Sequence, residues 1–195
     1  MAIRKILFAD APLLRQKSQK MKQIDPTTQT LVDDMLETLH SANGVGLAAP
    51  QVGVLQRIIV IEIPATDEEE EGVDLNLNRS VDKAVEKDGP VARPKQYVLI
   101  NPEIIKRSDN EDVADEGCLC LPNYVGEVRR AYAVIAKGKD RRGKDVRVKG
   151  RGLLARVLQH EVDHLDGILF MDRVEDPATL RYVPPRKDPS QDTEL

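Results

Sequence analysis

The stretch from Gly152 to Asp166 constrains this chain more than any other, because a helical pattern there carries ionisable groups on its apolar half. At about 100° per residue, Leu153, Leu154, Val157, Leu158, Val162 and Leu165 fill one half of a helix. Arg156, Gln159 and Asp163 fall on the other half, and Gly167 supplies the stop. His160 and His164 nevertheless share the stripe with Leu153 and Val157, and Glu161 falls near the middle of the apolar half. A buried carboxylate without a partner is expensive, so a fold that buries Glu161 must set something polar beside it. Gln159-His160-Glu161-Val162-Asp163-His164 contains the HExxH pattern, in which two imidazoles one turn apart face a metal and the glutamate handles a proton. The alternative is a pair of core histidines bonded to backbone carbonyls, with Glu161 in a buried salt bridge. One buried histidine would favour that alternative; two at this spacing around a glutamate favour the metal.

The chain holds three histidines, His40, His160 and His164. An extended metalloprotease motif would set another histidine six residues after His164; Gly167 fits it, but that position is Phe170. The third ligand is therefore His40, a carboxylate or a cysteine. Cys118 is the best candidate, inside the glycine-led stretch Glu116-Gly117-Cys118-Leu119-Cys120-Leu121-Pro122. Two imidazoles and one thiolate leave a fourth position open for water, which is the arrangement of a catalytic site. Cys118 and Cys120 are too close for an ordinary structural bridge, and an intracellular pair of this kind is more often metal-binding or reactive.

Other elements follow from local punctuation. Asp25-Pro26 reads as an N-cap and first helical residue, with Leu31, Val32, Met35, Leu36 and Leu39 at helical spacing and Asn43-Gly44 as the stop. Arg57 to Ile63 is a β-branched run ended by Pro64, hence a buried strand, and Tyr97 to Ile100 is another. Ala131 to Lys137 and Lys144 to Val148 form a hairpin around Arg142-Gly143. Between these strands, residues 64–95 lose apolar periodicity and carry the acidic run Asp67 to Glu71, as an insertion would. Residues 183–195 read as a flexible tail. The expectation is a single catalytic domain over residues 1–182, of class α+β, with antiparallel or mixed strands packed around a central C-terminal helix.

Composition narrows the function classes. Aromatics make up only 3% of the 195 residues, so the core is built from Leu, Val, Ile and Ala. A net charge of -4 lacks the footprint of a protein that grips nucleic acid over a broad face. No apolar run approaches the ~18 residues of a membrane span. Met1 to Asp10 lacks the long apolar segment and cleavage site of a secretory signal, so a cytoplasmic location is expected.

Three separated motifs, Gly44-Val45-Gly46-Leu47-Ala48-Ala49-Pro50-Gln51, Glu116-Gly117-Cys118-Leu119 and Gln159-His160-Glu161-Val162-Asp163-His164, together resemble the peptide deformylase family. That family removes the formyl group from the N-terminal formylmethionine of new bacterial polypeptides. The resemblance runs from near the amino terminus to about Tyr182. It implies that Cys118, His160 and His164 hold one divalent metal, that a water on the metal is the nucleophile, and that Glu161 is the general base and then acid. It implies that the Gln51 side chain and the Leu119 backbone N–H stabilise the oxyanion, and that Gly46 contacts substrate through its backbone. Fe²⁺ is the metal implied in the cell, with Zn²⁺, Ni²⁺ or Co²⁺ tolerated. The partners implied are N-formylmethionyl nascent peptides and a transient contact with the ribosome, with no specific nucleic acid and no membrane. Val45, Leu121 and Leu158 are candidate neighbours of the methionine side chain.

Two features depart from the family pattern. Cys120 stands where serine is common, so it could compete as a ligand or oxidise with Cys118. The insertion at 64–95 is longer than the family normally carries. Rival readings are a peptidase cutting internal bonds, which the missing third histidine opposes, and an inert metalloprotein or deformylase-like binding module whose open position Cys120 fills. A redox sensor built on Cys118 and Cys120 could coexist with catalysis.

Overall fold

A computed structural model describes residues 2–63 and 94–184. Helix α1 (Pro26–Ser41) starts where Asp25 accepts the Thr28 N–H at 2.8 Å, and Asn43 in the left-handed region (φ 50°) follows its end. Strand β1 (Gly46–Ala48), a short 3-10 turn over Ala49–Val52 and strand β2 (Ile58–Ile63) come next. They are followed by β3 (Lys95–Arg107), β4 (Glu111–Cys118), β5 (Leu121–Ala131), β6 (Ala133–Lys139) and β7 (Asp145–Arg151). Helix α2 (Gly152–Leu165) and the short β8 (Arg181–Tyr182) complete the described elements. One sheet has the order β1-β2-β3-β6-β7 and the other β4-β5-β8, with every ladder antiparallel. The chain is α+β, as its element order implies. The expected insertion and tail lie outside the described residues, apart from 94–95 and 183–184.

The apolar run Ile58 to Ile61 of β2 is explained by burial on both faces. Ile59, Ile61 and Ile63 pack with Leu154 and Leu158 of α2, while Ile58 and Val60 pack with Leu31, Met35 and Leu39 of α1. The strand expected at Tyr97 to Ile100 is the middle of the longer β3. That strand bends at Asn101 (φ 54°), whose side-chain amide exchanges two 2.8 Å hydrogen bonds with the Met21 backbone.

Helix α2 is not a two-sided amphipathic helix. Every residue from Leu154 to Leu165 is buried, and Leu153, which starts the apolar stripe on the helical projection, is 51% exposed. The polar half meets β4 and β5 instead of water. Arg156 donates to the carbonyls of Val128 and Asp112 at 2.8 and 2.9 Å, and Gln159 donates to that of Ala131 at 2.9 Å. Arg57 closes the C-terminal end, donating to the Leu165 carbonyl and pairing with Asp166 at 2.7 Å. Gly167 (φ 76°) turns the chain away where a Cβ would sit 2.6 Å from the Arg15 carbonyl oxygen. No helix among the described residues is long and apolar enough to cross a membrane.

Ile61 is fully buried between β1 and α2. Ile61→Ala should cost about 2–5 kcal/mol in urea unfolding, by removing apolar surface and leaving a cavity.

Candidate active site and metal centre

Three chain segments meet at the Cys118 sulfur. It lies 3.2 Å from His164 Nε2 and 2.9 Å from Cys120 Sγ, and Gln51 Nε2 donates to it at 3.4 Å. The Gln51 amide is turned that way because its oxygen accepts the Ala48 N–H at 2.7 Å. His160 interacts with the same sulfur, and its ring centroid is 4.9 Å from that of His164. Cys118, Leu119 and Cys120 form the end of the β4–β5 hairpin, with Cys118 paired to Leu121 and Leu119 and Cys120 in the turn. Cys120 packs against Leu14 and Leu169. The turn means that the two cysteines are not neighbours on one regular strand face.

The donor atoms of Cys118, Cys120 and His164 all lie within 4.8 Å of one another. The grouping thus takes in Cys120 and does not include His160. His40, the alternative third ligand, is elsewhere: its Nε2 is 2.7 Å from Glu62 Oε2 at the exposed end of α1. Thiol and imidazole donors fit a borderline or soft divalent cation and not Mg²⁺ or Ca²⁺. The thiol of Cys118 is pushed up by its bond with Cys120 and by burial, and a coordinated cation would oppose that shift.

Glu161 is 3% exposed and its Oε2 has no hydrogen-bond partner. Burial pushes its carboxyl up to about 7, so a proton can be taken or released there near neutrality. An orphaned carboxylate oxygen in the interior also fits a site built to receive a further polar group. Gly46 closes over this residue: a Cβ there would strike Glu161 Oε1 and sit 2.8 Å from Val157 Cγ1. Leu158, a candidate neighbour of the methionine side chain, is fully buried in the core, whereas Val45 is 42% exposed.

One part of the site went unrecognised in the sequence. Glu116 Oε2 lies 2.9 Å from His160 Nδ1, which fixes the ring and leaves Nε2 as its other nitrogen. Arg130 donates to both Glu116 oxygens at 2.9 and 3.0 Å, and Arg156 adds a third bond at 2.8 Å. Arg130 also pairs with Asp163, which Arg173 holds from outside at 2.8 Å. Burial alone would raise the Glu116 carboxyl, but the His160 and Arg130 bonds hold it down at about 2. The signal for Glu116 was its place two residues before Cys118, which sets both on one face of a strand.

A family model described as polypeptide deformylase matches residues 3–179. The chain belongs to the peptide deformylase family. A peptide deformylase of Thermomicrobium roseum is 47% identical over 188 residues, covering 96% of this chain and 95% of that protein. The crystal structure of a peptide deformylase from Legionella pneumophila is similar at a TM-score of 0.72 and 37% identity, covering 91% of this chain and 89% of that one. That of the peptide deformylase from Ehrlichia chaffeensis in complex with actinonin gives 0.73 and 34%, covering 90% and 91%. Membership makes this deformylase a hydrolase of a linear amide bond that removes the N-terminal formyl group from nascent peptides.

Glu116→Ala should lower metal affinity about 10–100-fold by freeing the His160 ring, measured by competition with a chelator. Unchanged affinity would mean that Glu116 only balances the charge of the arginines.

Proposed function

We propose that this deformylase is metal-dependent and holds one divalent cation on Cys118, His160 and His164. The cation is Fe²⁺ in the cell, with Zn²⁺, Ni²⁺ or Co²⁺ as substitutes, and residues 1–182 act as one catalytic domain. The observation that carries this reading is the convergence of His164, His160 and Gln51 on one sulfur, beside a buried carboxylate with an unpartnered oxygen. Such a cation lowers the pKa of a coordinated water toward about 7 and polarises a carbonyl.

Glu161 accepts the proton released at the nucleophile and returns it to the departing amine nitrogen, an effect typically worth about 10²–10⁴-fold. Gln51 Nε2, oriented by Ala48, donates to the formyl oxygen as it gains charge, and the Leu119 N–H is the second donor. Losing one such donor costs about 2.7–4 kcal/mol in related hydrolyses. The Gly46 backbone borders the carboxylate closely and contacts the substrate. The substrate is an N-formylmethionyl nascent peptide, met in the cytoplasm during a transient contact with the ribosome, and no specific nucleic acid or membrane takes part. The deciding assay is formate release from formylmethionyl peptides by metal-loaded protein, with casein left intact. Casein fragments without formate would overturn the reading in favour of a peptidase.

Four substitutions separate the roles. Glu161→Ala should keep one metal per chain and lose nearly all turnover; metal loss like that of His160→Ala would make Glu161 a ligand instead. Gln51→Leu should lower kcat far more than it raises KM, since its amide serves charge that develops in the transition state. Cys118→Ser should weaken metal binding or change the preferred metal, because a hydroxyl replaces a soft thiolate poorly. Cys120→Ser should retain the metal, and the opposite pattern would assign the ligand to Cys120.

A further inference from the structure

We propose that Cys120 is a resolving thiol, which captures peroxide-oxidised Cys118 as an intramolecular disulfide that a dithiol reverses. The two sulfurs are already 2.9 Å apart, and a disulfide needs about 2.05 Å, so bond formation requires little movement. Two residues of chain keep the paired Cα atoms within about 7 Å of each other, at the edge of or inside the range in which disulfides close. The turn at Leu119 and Cys120 bends the chain so that both side chains reach the same point.

Exposure sets the order of events. Cys118 is partly exposed and Cys120 is 1% exposed, so a small hydroperoxide reaches Cys118 first. Its thiol attacks the peroxide, the O–O bond breaks, and sulfenic acid forms with release of water or an alcohol. The Cys120 sulfur then attacks the sulfenic sulfur. An S–S bond forms, the S–O bond breaks, and the oxygen leaves as water with the Cys120 proton. Both thiols together lose two electrons, which the peroxide accepts. A dithiol restores them by exchange and is itself oxidised to a disulfide.

Without Cys120, a second peroxide would carry Cys118 on to sulfinic acid, which a dithiol does not reverse. The Cys120 backbone is anchored for this task, because its carbonyl accepts the Ala9 N–H at 2.8 Å and its N–H points at the Cys118 sulfur at 3.4 Å. The inference rests on the proposed metal site only in taking Cys118 as the residue whose loss matters.

The test exposes the full chain, metal-loaded and metal-stripped, to hydrogen peroxide and follows thiol count and intact mass. Wild type should lose two thiols and about 2 Da per chain, and dithiothreitol should restore both thiols and metal uptake. Cys120→Ser should instead gain about 32 Da as sulfinic acid, with no recovery. Should that variant fail to fold, peptide mapping of peroxide-treated wild type decides, since it must yield one linked Cys118–Cys120 peptide. Sulfinic acid at Cys118 beside a free Cys120 in wild type, or disulfides only between chains, would overturn the proposal. A protein that released no formate before treatment would fail as a deformylase while leaving these readouts intact.

Discussion

From Leu154 to Leu165 helix α2 is buried on every side, so each polar group in that stretch must find its partner inside the protein. The solution centres on one carboxylate. Glu116 takes Arg130 on both oxygens, Arg156 on one and the His160 ring on the other. Arg130 passes the charge on to Asp163, and Arg173 ends the chain at the surface. Such a network gives little net stability, but removing one member strands buried charge at a cost of about 3–5 kcal/mol. What it secures is position: the helix is pinned to β4 and β5 by the same group that orients a histidine.

The apolar side of the fold serves the same end. β2 separates two cores, one with α1 and one with α2, and it carries β1 on its edge. β1 can run across α2 only because Gly46 has no side chain to meet Glu161 and Val157. The strand then turns into Ala48, whose N–H holds Gln51 toward the sulfur. Packing and chemistry are therefore joined within a few residues, and a change at β1 is felt at both the carboxylate and the amide.

The parts of this arrangement that were readable in the sequence are those with strong local periodicity or a spaced motif. α1 was legible from the Asp25 cap and its leucines, and α2 from the repeat that ends at Leu165. The polar half of α2 was misleading, because Arg156, Gln159 and Asp163 look solvated until β4 and β5 cover them. Those strands carry weak local signals for a physical reason: Glu111 to Cys118 sets adjacent acidic pairs between small residues, with Val113 its one β-branched residue. The pairing of Glu116 with Arg130 depends on the register of that hairpin, which no local signal specifies. Cys118, His160, His164 and Gln51 stand in motifs that the sequence displays, whereas the turn that brings Cys120 against Cys118 has no such signal.

One sulfur and two imidazoles are proposed to form the metal site, although among the described residues the donors grouped within 4.8 Å of one another are Cys118, Cys120 and His164. Metal-edge X-ray absorption on anaerobically prepared, metal-loaded protein measures that directly. The expected result is a first coordination shell with one sulfur and two imidazole nitrogens, completed by light oxygen atoms. A shell with two sulfurs and one imidazole would contradict it, placing Cys120 on the metal and His160 off it.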